Sequence, residues 1–151
     1  MGRTPFQILV IPYRRAGGVH HFALFRRADE DYWQGIAGGG ENEETPFEAA
    51  VRETIEETGI LSSPTLLPLD TVSSVPATCF KDSHLWGETT YVIPQYAYGA
   101  GLGQGEVRLS SEHSEFGWFR FEEAISRLKY DADRTALWEL NERLQKAASR
   151  G

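Results

Sequence analysis

The chain has 151 residues, with 15 Lys or Arg against 22 Asp or Glu and a formal net charge of −7, a length that predicts one domain with its own core. The negative balance excludes a general nucleic-acid binder, which needs a basic face to displace phosphate counterions; a phosphorylated small substrate stays open, because a bound divalent ion reverses the local charge logic. The lone cysteine, Cys79, cannot close an internal disulfide. No basic-then-apolar leader or long apolar run is present, so the expectation is a soluble, cytoplasmic protein with no membrane partner.

In chain order, Phe6–Ile11 is a β-branched run bounded by Pro5 and Pro12 and reads as a buried strand. Arg14–Gly18 reads as a turn and His20–Phe25 as the return strand, which makes residues 6–27 a hairpin. His20 and His21 are adjacent on that strand and point to opposite faces, so they do not share a metal ion. Arg26 and Arg27 then either hold a substrate phosphate or pair with the acidic loop beside them, Asp29 to Asp31. Tyr32–Ala37 reads as a short strand leading into three glycines, Gly38 to Gly40, read as a loop.

A helix is predicted to begin at Pro46. Thr45 and Glu48 have the spacing of a capping box, and proline suits the first helical position. Gly59 suits the left-handed position just past the end. Phe47, Ala50, Val51, Thr54 and Thr58 are spaced to face the core, while Glu53, Glu56 and Glu57 fall on one side of the last two turns. Beyond a loop from Leu61 to Pro64, strands are expected at 66–75 and, irregular at Pro94, at 86–98. Gly99–Gly105 reads as a flexible link; lacking a following Lys-Ser/Thr, it is not a phosphate loop. Short strands at 107–109 and 116–121 precede helices at 122–128 and 134–146, the second with Ala136, Leu137, Leu140 and Leu144 on one face. Strands, a helix, more strands and final helices make a mixed α/β fold with helices packed on a sheet.

The glutamate face has a cost. Like charges four residues apart repel by a few tenths of a kcal/mol, and the C-terminal half of a helix disfavours negative charge by about 0.3–1 kcal/mol per group. A divalent cation bound by oxygen ligands would offset that cost; a solvated acidic face is the plain alternative. Glu44, eight residues before Arg52, is placed to pair with it and hold the glycines against the helix.

The spacing decides between the two readings of the glutamates. Gly38, Glu44, Arg52-Glu53, Glu56-Glu57 and Gly59-Ile60 together resemble the Nudix box over residues 38–60. The resemblance implies a single Nudix hydrolase domain over 1–151, an α/β/α sandwich with a mixed sheet, the loop-helix-loop of the box and C-terminal helices. It also implies hydrolysis of a nucleoside diphosphate linked to another group, with Mg²⁺ or Mn²⁺ held by Glu53, Glu56 and Glu57; Gly38, Glu44, Arg52 and Gly59 are structural. Two positions depart from the pattern: Thr54 replaces an aliphatic residue, and Glu43 replaces a glycine that would take positive φ.

Outside the box, Arg26-Arg27 with Tyr32-Trp33-Gln34, and Ser111-Glu112-His113 before Trp118-Phe119, are similar to the dihydroneopterin triphosphate pyrophosphatase branch, also described as dATP pyrophosphohydrolases. That similarity implies Glu112 as a further metal ligand and catalytic group, with Glu115 as the other candidate. It implies substrate contacts at Arg3, Arg26 and Ala37, though Ala37 lacks the hydroxyl expected there. Arg27 and Trp33 complete the substrate set, with Tyr32 and Phe80 as stacking candidates.

The expected reaction is Mg²⁺-dependent cleavage of a nucleoside or pterin triphosphate to monophosphate and pyrophosphate. The alternatives are another diphosphate-linked substrate, such as a dinucleotide polyphosphate or nucleotide sugar, and a non-catalytic nucleotide-sensing domain. The partner is a small phosphorylated molecule rather than nucleic acid, with monomer and homodimer both open.

Overall fold

The computed structural model describes residues 3–29, 31–60, 64–103, 107–109 and 113–150. Its strands are β1 (Arg3–Ala16), β2 (Val19–Arg27), β3 (Trp33–Gln34), β4 (Ile36–Glu41), β5 (Thr65–Pro76), β6 (Val92–Gly101) and β7 (His113–Phe119). Its helices are α1 (Pro46–Thr58), α2 (Phe121–Arg127) and α3 (Asp131–Arg150), with short 3₁₀ turns at Ala77–Cys79 and Lys81–Leu85. The sheet runs β3-β2-β1-β6-β5, with β4 on β1 and β7 on β2. Only the β1–β6 pairing is parallel among the described ladders, so the sheet is mixed, as expected.

Alternation along β1 divides the core. Leu9 and Ile11 join Ala124, Leu128, Ala136, Leu137, Leu140 and Leu144 beneath α2 and α3. Ile8 and Val10 join Ala49 and Ala50 of α1 on the other face. Successive strand residues point to opposite faces, so one strand feeds two cores and the architecture is an α/β/α sandwich.

The predicted hairpin forms, but β1 is longer than the prolines suggested. Pro12 lies between the last β4 pair, Val10 with Ile36, and the first β2 pair, Tyr13 with Phe22. Its missing N–H therefore falls where β1 changes neighbour. The glycines are not a loop: Gly38 and Gly39 pair with Ile8 and Gln7 inside β4. β6 begins at Val92 rather than Trp86 and continues through Gly101, so Gly99 to Gly101 belong to a central strand. Close packing accounts for the glycine there, since a Cβ on Gly99 would stand 2.5 Å from Leu140 Cδ1 and 3.3 Å from Tyr13 Cε1. Residues 107–109 are not a strand; Arg108 N–H instead donates to Thr58 O at 2.7 Å, tying this segment to the end of α1.

Helix α1 starts and stops as predicted. Thr45 accepts from Glu48 N, Glu48 accepts from Thr45 N at 2.9 Å, and Gly59 adopts φ 69°. Its buried set is Ala49, Ala50, Thr54, Glu57 and Thr58. Phe47, expected in the core, is 47% exposed with its ring edge-on to Tyr98, because the stripe that meets the sheet is centred one position away. Thr54 is fully buried and satisfies its hydroxyl on Ala50 O at 2.7 Å. The positive φ anticipated near Glu43 falls on Asn42, at 54°, a residue type that tolerates it.

Candidate active site

Arg52 organises the site. Its Nε and Nη2 donate to Glu44 Oε2 and Oε1 at 2.8 and 3.0 Å, and Nη2 also donates to Gly39 O at 2.8 Å. Glu44 Oε1 in turn accepts from Glu41 N at 2.8 Å. The loop between β4 and α1 is thereby held to the helix, which is the structural role expected of this pair. Glu44 is held below the usual carboxylate range chiefly by the Arg52 hydrogen bonds.

The remaining nitrogen, Nη1, faces carboxylates. It lies 3.1 Å from Glu53, 3.3 Å from Glu56 and 3.6 Å from Glu41. One cation thus stands among several negative groups, the environment that a divalent ion with hard oxygen ligands also requires. The glutamates themselves are graded in burial: side-chain exposure is 54% for Glu56, 13% for Glu53 and 5% for Glu57. Burial pushes Glu53 up to about 7 against the opposing pull of Arg52. Gly38 is required beside it, since a Cβ there would come within 2.8 Å of Glu53 Cγ and closer still to its carboxyl.

Glu57 points into the interior, where its Oε2 lies 2.9 Å from His113 Nδ1. His113 is packed against Phe25, with ring centroids 5.3 Å apart, and its Nε2 lies 3.5 Å from Gln34 Nε2. Among the described residues, no group of three or more His, Cys, Asp or Glu side chains converges as a ready metal site. The oxygen donors of Glu53 and Glu56 nevertheless fit Mg²⁺, with Arg52 as the stand-in cation between them, whereas Glu57 is turned to His113. Glu112, expected as the late ligand, lies outside the described residues.

A cavity of about 870 Å³ opens beside Glu53. Its floor follows from the parity of β1: Gln7 shares a face with Leu9 and Ile11, but beyond the core it meets Gln95, donating to Oε1 at 2.6 Å. The wall includes Ala37, Gly38, Glu53, Arg27, Tyr32 and Phe80 from the expected set. Gln34, quoted from the sequence only within the Tyr32-Trp33-Gln34 segment and given no role, also lines it, as do Tyr130 and Asp133, which were not singled out; an aspartate opening a helix carries no distinguishing signal there. Arg26 and Trp33 stand outside the described wall. Arg26 pairs with Asp31, and with Glu115 at 2.8 Å, while Trp33 packs edge-on to Phe119 against the α2–α3 core. Arg27 makes two 2.7 Å hydrogen bonds to Asp29, so the acidic-loop reading of the arginines is the one the contacts express. The side chain of Arg3 lies outside the described residues.

An α/β/α sandwich that carries a capped glutamate helix against a glycine strand is the arrangement of one hydrolase class. The NUDIX domain family model matches residues 4–140, and the chain belongs to the Nudix family, as a Nudix hydrolase of a diphosphate-linked substrate. It is 40% identical to a Listeria monocytogenes protein described as a NUDIX hydrolase, over 95% of this chain and 97% of that one, with a TM-score of 0.86. The fold is shared with the E. coli dihydroneopterin triphosphate pyrophosphohydrolase (23% identity, 92% and 97% covered, TM-score 0.73). It is also shared with a C. elegans Ap4A hydrolase (22% identity, 95% and 99% covered, TM-score 0.72). No curated protein matches the chain. No helix among the described residues is long and apolar enough to cross a membrane.

Proposed function

We propose that this Nudix hydrolase is a Mg²⁺-dependent pyrophosphohydrolase that converts a nucleoside or pterin triphosphate to the monophosphate and pyrophosphate. The observation that carries the reading is the position of Glu53. A largely buried carboxyl in the C-terminal half of α1 forms part of the wall of a cavity whose other walls carry Tyr32, Phe80 and Tyr130. One cavity therefore combines oxygen donors suited to a cation with aromatic surface, which matches a substrate that carries both polyphosphate and a flat ring.

Glu53, Glu56, Glu57 and Glu112 would hold the metal, which when bound neutralises phosphate charge and lowers the pKa of a water. Arg52 keeps Glu53 and Glu56 turned toward each other. Of the proposed substrate residues, Ala37 and Arg27 have the wall positions to meet phosphate or sugar; Arg26 and Trp33, on the paired ends of β2 and β3, would act only through a rearrangement there. Assaying pyrophosphate release with Mg²⁺ in Glu53→Gln and Glu57→Gln tests the assignment. Losses of about a hundredfold or more are expected, since even residues that only support metal ligands cost 10–100-fold; wild-type rates in both variants would sink it.

A second reading is favoured by the size of the cavity, which lies toward the upper end of the usual range for ligand pockets. A larger diphosphate-linked group, as in a dinucleotide polyphosphate or nucleotide sugar, would occupy the same walls. A substrate panel with products resolved separates the two. Heat stabilisation by a nucleotide without turnover would instead indicate a sensing domain.

A further inference from the structure

Behind the exposed helix glutamates runs a buried polar chain, Glu57, His113 and Gln34, of which the hydrolytic reading uses only the first. The three side chains come from α1, β7 and β3, and all are buried. His113 Nδ1 stands 2.9 Å from Glu57 Oε2. The pair is out of line for a full hydrogen bond, and no other acceptor among the described residues reaches that buried nitrogen. On the far side of the ring, Nε2 lies 3.5 Å from Gln34 Nε2. A side-chain amide nitrogen only donates, so Nε2 is the accepting nitrogen and the ring proton falls on Nδ1, facing the carboxylate. Phe25 packs on the imidazole with centroids 5.3 Å apart and is itself stacked on Phe116, which holds the ring in its plane.

The helix carboxylates are thus anchored differently. Arg52 donates to Glu53 and Glu56, whereas Glu57 is turned to His113. A buried ionised carboxylate needs a donor to be tolerated. Once one of its oxygens is held, the direction in which it presents the other is fixed as well. Contacts of this kind behind a metal-binding side chain are worth about 10–100-fold in metal affinity.

We propose that His113 is a positioning residue: its Nδ1–H holds Glu57 Oε2 and sets that carboxylate for a divalent cation, while Gln34 keeps the ring proton on Nδ1. The proposal deepens the hydrolytic reading and rests on it for the cation.

The test titrates Mn²⁺ into substrate-free wild type, Glu57→Gln, His113→Asn and His113→Gln at one fixed pH, with bound ion read from loss of the free-Mn²⁺ EPR signal. Circular dichroism checks that each variant is folded. The amide nitrogen of asparagine can take the place of Nδ1, whereas that of glutamine takes the place of Nε2. Glutamine is the nearer to histidine in volume, so a role in packing alone predicts that it is the better replacement. Positioning predicts the reverse order: His113→Gln should weaken Mn²⁺ binding about tenfold or more, and His113→Asn should recover most of the loss. Equal losses, a larger loss in His113→Asn, or wild-type affinity in His113→Gln would overturn the proposal.

A second measurement needs no variant. In ¹⁵N NMR of the wild-type imidazoles, His113 should carry its proton on Nδ1 and shift when Mg²⁺ is added; a proton on Nε2, or no response to Mg²⁺, would overturn the proposal. The Glu57→Gln titration separates this idea from its premise. Weakened Mn²⁺ binding there, with wild-type binding in both His113 variants, removes the positioning role and leaves the hydrolytic reading. Wild-type binding in Glu57→Gln removes the metal assignment on which both depend.

Discussion

Arg52 and Glu44 meet through two parallel hydrogen bonds across the joint between β4 and α1, and the same guanidinium reaches Gly39 O on the strand side. A lysine has the charge but not the planar fork. Arg52→Lys is expected to cost about 1.5–3 kcal/mol, the value of hydrogen bonds to charged groups, read from urea denaturation. In a cycle with Glu44→Gln, the double variant should lose less than the sum of the singles.

Two glycines separate stability from catalysis. A Cβ on Gly38 meets the Glu53 side chain, which has the open cavity to move into; a Cβ on Gly99 meets buried Leu140 and partly buried Tyr13. Gly38→Ala should cost no more than about 1 kcal/mol, an off-rotamer penalty, yet lower kcat/KM by roughly a hundredfold if Glu53 is displaced by an ångström. Gly99→Ala should cost about 1–3 kcal/mol through overpacking and leave kcat/KM unchanged once folded protein is compared. Melting curves and a steady-state assay on the same preparations separate the two.

Asp133 makes stability depend on pH in a definite direction. Its folded value of about 6 lies above its ordinary value of 3.8, so the folded state holds the proton more tightly. Its favourable contribution is complete below about pH 3.8 and disappears as pH rises through 6. Asp133→Asn carries no charge to bury. Relative to wild type, the variant should gain roughly 2.4 kcal/mol between pH 4 and pH 8, at 1.36 kcal/mol per unit. Paired urea titrations at the two pH values check the sign as well as the size.

The helix glutamates should differ sharply in what they contribute to the fold. Glu57 is buried within ion-pairing distance of His113, whereas Glu56 is more than half exposed. Removing the partner of a buried charge costs about 3–5 kcal/mol, so His113→Ala should approach that loss in urea denaturation. Glu56→Ala should stay within about 0.5 kcal/mol, as exposed substitutions do.

How far the sequence was legible depends on whether a feature is local. Thr45, Pro46, Glu48 and Gly59 determine α1 through contacts with their own neighbours, and both of its ends were readable. Glu44 and Arg52 are eight residues apart, and their pairing was readable from the spacing of the box. The glycine segments were misread because glycine in a strand and glycine in a loop look alike until the packing partner is known: Leu140 for Gly99, Glu53 for Gly38. Phe47 was misassigned because several helix faces satisfied the apolar spacing, and the sheet selected the one carrying Ala49 and Glu57. Asp133 and Gln34 reach the cavity from distant elements that only the tertiary fold brings together.

The long strand β5 lies at the end of the sheet path, and its ladder with β6 slips between Pro68 and Val72. There, Asp70 N and Thr71 N donate to Glu139 of α3 at 2.7 and 2.8 Å, and Arg143 braces Glu139 from the next turn at 2.8 Å. A sheet edge is a template for strand addition wherever successive amides are unoccupied. One helical side chain here satisfies two successive amides at the slip, in the middle of a twelve-residue strand. An incoming strand would find the register of β5 interrupted halfway by this irregularity, which a side chain of the covering helix holds in place.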